Sequence, residues 1–220
     1  MMSSIVFDIS PKISARTAVF PGDQPFTQAS SLSFASGDHL ELSSIKTTLH
    51  IGAHADAPSH YMAGGAPIDR RSLDYYMGPC QVVQWAEPVV GRITLKHWGD
   101  RSVLAPRVLF ATRSFLNPDQ WSNEFASLSP ELINYLAERE VITVGIDTPS
   151  IDPAEAKDLI SHQAVAANDM AILEGLILKS VPEGVYDLIA LPLKIEGADA
   201  SPVRAILVAD GNYSKTPVAP

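Results

Sequence analysis

The 220-residue chain carries 16 Lys and Arg against 25 Asp and Glu, a formal net charge of −9, and 46% of its residues are hydrophobic. That balance provides for a sizeable core and excludes the basic patches that nucleic acid or an anionic membrane would need, so a small molecule is the expected partner. No run approaches the ~18 apolar residues that span a bilayer, the N-terminus lacks a basic region followed by an apolar stretch, and the lone Cys80 forms no internal disulfide, so a cytoplasmic protein is expected.

Along the chain, the β-branched and aromatic run 4–9, closed by Ser10-Pro11, predicts a first strand. Pro21-Gly22-Asp23 is strong turn chemistry, and it presents Phe20 either as core packing or as a platform for an aromatic ring. Residues 40–49 alternate imperfectly and predict the strand that delivers His50.

The stretch His50-Ile-Gly-Ala-His54-Ala-Asp56-Ala-Pro58-Ser-His60 then places three of six histidines and one carboxylate within eleven positions. Imidazole and carboxylate together suit zinc or another borderline divalent ion. Small spacers separate these groups, and Pro58 disfavours helix at Ala57, so an irregular loop leaving a strand is predicted. A structural zinc site is normally Cys-rich and closed; one Cys in the chain favours an open, water-bearing site.

Gly64-Gly65 and Pro67 predict further loop over 61–69, and 72–77 a short helical turn. Strand follows over 80–85, with Cys80 read as a buried small hydrophobe and His97 as structural. Residues 106–112 read as a buried strand, 113–125 as loop, and Ser129-Pro130-Glu131 opens a helix whose buried stripe is Leu132, Ile133 and Leu136. A core strand over 141–147 precedes a turn, and Asp152 is expected to cap a helix over 154–160, with His162 just past it. Glu174 stands inside Ala171-Ile-Leu-Glu174-Gly175-Leu-Ile-Leu178, where an ionised carboxylate requires a cation, either a metal or a basic residue such as Arg204. Strands over 186–194 and 203–208 and a frayed tail at 211–220 complete a single α/β domain with partly parallel pairing over 1–220.

The His50–His60 stretch, with Asp8-Ile-Ser-Pro11, Pro21-Gly22-Asp23, Gly145-Ile-Asp-Thr-Pro149, Met170-Ala-Ile-Leu-Glu174-Gly175 and Ala190-Leu-Pro-Leu-Lys194, resembles the bacterial kynurenine formamidases (arylformamidases) of the metal-dependent cyclase family. The resemblance implies a cyclase-like swivelling β/β/α fold, a mixed sheet core with few helices, and a homodimer with two zinc ions per chain, manganese or another divalent ion being an alternative. It implies hydrolysis of N-formyl-L-kynurenine to L-kynurenine and formate in tryptophan degradation. His50, His54 and Asp56 would ligate one zinc; Asp56 would bridge to a second held by His162; Glu174 would bind both. Hydroxide produced at the metals would attack the formyl carbon, with His60 as proton donor and acceptor. Phe20 falls where the family usually presents a Trp to the substrate ring, Ile51 where many members carry Thr, and Gln163 and Asn168 where His is expected. Two alternatives remain at this stage: an isatin hydrolase-like enzyme acting on a cyclic or aryl amide, and a metal-binding protein without turnover.

Overall fold

The computed structural model describes residues 5–209, so the expected frayed tail lies outside the described residues. Along it run β1 (Ile5–Asp8), β2 (Thr27–Leu32), β3 (Leu42–Lys46), β4 (His54–Asp56), α1 (Pro58–Tyr61), β5 (Met77–Gln84), β6 (Arg92–Ile93), α2 (Leu95–Trp98), β7 (Arg107–Ala111), β8 (Ser127–Leu128), α3 (Pro130–Ala137), β9 (Thr143–Ile146), α4 (Ile160–Ala167), β10 (Ala171–Glu174), β11 (Gly184–Ile189), β12 (Ala200–Pro202) and β13 (Ile206–Ala209). Nine strands form one mixed sheet in the order β1-β13-β11-β5-β7-β9-β10-β4-β12. The centre, β5-β7-β9-β10, is parallel, and both wings are antiparallel.

The central strands are apolar at nearly every position because both faces are covered. Pleating sends Val82, Leu109 and Leu173 into one core and Val83, Val108, Phe110 and Ile172 into the other. The second core is closed by Leu132, Ile133 and Leu136 of α3 and Val165 of α4. The first draws Leu188 and Leu207 from one wing and Ala55 from the other, which requires the sheet to curl around it. This mixed, curled sheet with few helices is the expected fold class.

Several predicted elements are corrected. The 40–49 strand is shorter, ends at Lys46 and does not deliver His50; it pairs with β2, an element the sequence reading missed, in an exposed two-stranded arm. The stretch 50–60 is not loop throughout: it contains β4, held between β10 and β12, followed by α1. The one residue of this strand that faces the core is the fully buried Ala55, so no β-branched residue marks it. Pro58 occupies the first turn of α1 after an extended Ala57, a position where its missing N–H costs nothing. No helix forms over 154–160. The helix is α4, entered through Leu159 in a left-handed conformation, so His162 lies within its first turn. Finally, β11 stops at Ile189, before Pro192, and the short β12 had no counterpart in the sequence reading.

Candidate metal centre

Strand register assembles the centre. In β4 the two-residue period points His54 and Asp56 to one face and Ala55 to the other. The antiparallel pairing with β10 sets Glu174 directly opposite His54 and Ile172 opposite Asp56, so a residue 120 positions downstream shares a face with the histidine-rich stretch. His54 Nε2 lies 3.3 Å from Glu174 Oε2 and 3.4 Å from Asp56 Oδ1. From the preceding turn, His50 places Nδ1 3.0 Å from Asp56 Oδ1. From α4, His162 places Nε2 3.5 Å from Asp56 Oδ2 and 3.7 Å from Glu174 Oε1. His54, Asp56, His162 and Glu174 are all buried.

Each histidine has its other nitrogen occupied. His54 Nδ1 is 2.9 Å from the Gly52 carbonyl, His162 Nδ1 is 2.8 Å from Asp152 Oδ2, and His50 Nε2 is 3.1 Å from Asp199 Oδ2. An acceptor on that side assigns the N–H there and leaves the opposite lone pair facing Asp56 and Glu174. Lone pairs facing carboxylate oxygens repel unless a cation lies between them. His54 Nε2 and both Asp56 oxygens are indeed buried without a hydrogen-bond partner, and each such orphan costs about 1–3 kcal/mol. Three groups among the described residues have donor atoms close enough to hold an ion; two of them, His50-His54-Asp56 and Asp56-His162-Glu174, share Asp56, and the third is His50-His60-Asp199. The donor set, three imidazoles and two carboxylates, fits borderline divalent ions. The basic partner considered for Glu174 is absent from this cluster: Arg204 pairs with Asp8 at the surface.

Without metal, protons fill the same role. Burial opposes charge on His50, but Asp56 and Asp199 outweigh it and raise its pKa to about 9. Burial likewise opposes charge on His162, yet Asp152, Asp56 and Glu174 raise it to about 10. Burial works against the Asp56 carboxylate too, but the surrounding imidazoles hold its pKa well below the usual range. An unfolded imidazole titrates near ~6.5. The stabilisation from His50 and His162 is therefore complete below that pH and is lost as pH rises through 9 to 10. Metal binding has the opposite dependence, because protons compete for the same atoms. Thermal denaturation should thus show the metal-free Tm falling by on the order of 5 °C or more between pH 6.5 and 9.5, while the gap to zinc-loaded protein widens. A gap that narrows over this range contradicts the assignment.

The parts around the centre hold its side chains in place. Asp152 does cap a helix, but from a distance: its carboxylate accepts from Ser161 N and His162 N at the start of α4 and from Arg92 Nη2 at 2.8 Å. Gly175, with φ +65°, lets the end of β10 touch the turn before β4; a Cβ there would lie 2.1 Å from the Gly52 carbonyl oxygen. Gln163 and Asn168 face outward and bond to Asp158 O and to Asn134 and Ala164, and Ile51 is fully buried, so none of these departures supplies a donor to the centre.

The centre opens into a pocket of about 400 Å³, within the usual range for small-molecule sites. His60, on α1, stands at its edge with its ring 4.2 Å from that of His50. Phe20 is 48% exposed on the wall, which removes the core-packing reading. Its ring meets Trp121 edge to face at 5.1 Å, and Trp121 continues to Phe125 at 6.3 Å. Trp121 and Asp199 were both missed in the sequence. Trp121 sits in the turn-rich 113–125 loop, where no periodicity marks it. Asp199 had a faint signal, an acid between small residues in Gly197-Ala-Asp199-Ala-Ser. The loop is fixed to the sheet by the buried Asp147, which accepts from Thr112 N, Thr112 Oγ1 and Arg113 N, and to the Phe20 segment through Ala18 N to Pro118 O.

The chain is 46% identical over 204 residues to the kynurenine formamidase of Bordetella petrii, covering 92% of this chain and 97% of that protein. A solved structure described as a potential metal-dependent hydrolase with cyclase activity superposes with a TM-score of 0.82 at 29% identity, covering 94% of this chain and 99% of that one. The isatin hydrolase A of Labrenzia aggregata superposes with a TM-score of 0.78 over 94% of both chains, but at 22% identity it speaks for the fold alone. Residues 7–153 match the putative cyclase family, and with that match and the Bordetella relative, the chain belongs to this family of proteins.

Proposed function

We propose that this chain is a metal-dependent arylformamidase that hydrolyses N-formyl-L-kynurenine to L-kynurenine and formate, acting as one hydrolase domain. The observation that carries the reading is Asp56, buried with both oxygens unpartnered and shared between two potential ligand groups beside an aromatic pocket. The similarity to kynurenine formamidase over nearly the whole chain supports the choice of substrate.

In this reading His50, His54 and Asp56 would hold one zinc ion, Asp56 and His162 the other, and Glu174, with one oxygen near His54 and one near His162, would bind both. When bound, such ions supply Lewis acidity and a nucleophile at neutral pH. His54 and His162 are kept in the ligating tautomer by Gly52 O and Asp152. His60 accepts the proton given up by the attacking water and returns it to the departing aryl nitrogen, which would otherwise leave as an unstable anion. Phe20 and Trp121 hold the aryl ring, and the indole supplies the area that Phe20 lacks relative to Trp. Two chains assemble as a homodimer in the same reading. The exposed apolar Leu42 and Ile45 of β3 support this, and sedimentation as a monomer would remove it.

The decisive assay measures formate and kynurenine release by zinc-loaded, chelated and reconstituted protein. Activity lost on chelation and restored by zinc supports the reading. Turnover of isatin in preference to N-formyl-L-kynurenine selects the isatin hydrolase-like alternative, and stoichiometric metal without turnover of either selects the non-catalytic one. In the same assay Phe20→Ala should raise KM roughly five- to tenfold, corresponding to about 1–1.5 kcal/mol of aromatic contact, with kcat little changed.

A further inference from the structure

Asp199 is placed by the edge of the sheet. It immediately precedes β12, whose Ala200 pairs with Asp56, and its carbonyl accepts from Ala57 N at 2.8 Å, just ahead of α1. This fixes the residue between the two segments that carry His50 and His60. One carboxylate oxygen, Oδ2, lies 3.1 Å from His50 Nε2 and 3.5 Å from His60 Nδ1.

His50, His60 and Asp199 also have donor atoms close enough to hold an ion. Such an ion would require His50 to lose its last ring proton, because His50 Nδ1 already faces Asp56. An N–H···O hydrogen bond to Asp199 satisfies the same atoms with His50 neutral, and that is the simpler chemistry.

We propose that Asp199 is a positioning residue that sets the tautomers of both rings, holding the N–H of each on its own side. His50 then keeps the Nδ1 lone pair toward Asp56, and His60 keeps Nε2 as its basic atom. The role for His60 rests on the formamidase reading. When His60 Nε2 takes a proton from water, the imidazolium formed faces the Asp199 carboxylate, which stabilises it until the proton passes to the leaving nitrogen. A carboxylate in this position acts through the ring it orients and does not itself gain the proton.

The test uses zinc-loaded full-length protein and its Asp199→Asn variant, which keeps shape and removes charge. With zinc in excess the expected result is a fall in kcat of roughly 10- to 100-fold, with KM within about threefold, and zinc held more weakly by a factor in the same range because His50 loses the partner that orients it. Imidazole ¹⁵N spectra of zinc-loaded protein should show His60 protonated on Nδ1, and the variant should lose that preference. A kcat within threefold of the parent at saturating zinc overturns the proposal. An Nε2–H tautomer of His60 in the parent also overturns it. If the parent does not turn over N-formyl-L-kynurenine at all, the formamidase reading fails, while the spectra still decide whether Asp199 sets the tautomers.

Discussion

Asp56→Asn protein is expected to retain less than one metal ion per chain after dialysis and to lose more than ~1,000-fold in kcat/KM. The expectation follows from geometry: this side chain offers one oxygen to the His50–His54 side and the other to the His162–Glu174 side. Partners in the outer shell of a metal site typically cost ~10- to 100-fold when removed, and a side chain reaching both groups should exceed that. The same substitution removes the countercharge for His50 and His162. The metal-free variant should therefore be less stable than the metal-free parent at pH 6.5, where both imidazoles are charged, with breakage of a buried charge pair worth about 3 kcal/mol. Elemental analysis, kinetics and calorimetry on one preparation test all three points. A variant that keeps two ions and near-normal turnover contradicts the centre described here.

His60→Ala should behave differently. The ring lies at the pocket edge, outside the two groups built on Asp56, so metal content should be unchanged while kcat falls by ~100- to 10,000-fold, the span usual for a general acid-base group. Because the lost group moves a proton and does not hold the ring of the substrate, KM should change little. Loss of metal in this variant would make His60 a ligand instead.

How much of this was legible in the sequence differs from residue to residue. His54 and Asp56 are legible because imidazoles and a carboxylate cluster between small spacers, although the strand that carries them reads as loop. The backbone bonds that make β4 a strand come from β10 and β12, and no local pattern reports them. Glu174 was visible for an energetic reason, a charge among aliphatic neighbours, and the structure supplies the cluster that such burial requires. For His162 the resemblance alone supplied a ligand role. Its helix was misplaced because the cap is not a neighbour in sequence: Asp152 reaches Ser161 and His162 from nine and ten residues away. Trp121 depends on tertiary placement altogether, in a loop held by Asp147, and Asp199, only faintly marked by its small neighbours, is set by a three-residue edge strand.

Four of the five candidate ligands sit on paired strands and a capped helix, with His50 in the turn before β4, whereas Trp121 of the aromatic wall hangs from a separate loop fastened at Asp147 and Pro118. Reactivity and appetite are thus inherited as separable traits. Insertions or exchanges within 113–125 can present a new surface to a different ring without disturbing the ladder that spaces the candidate ligands. A change at Gly175 has no such freedom, because any added atom would wedge the two halves of the centre apart. Diversification of substrate range in this architecture should accordingly run through the loop, with the proposed chemistry of the centre carried along unaltered.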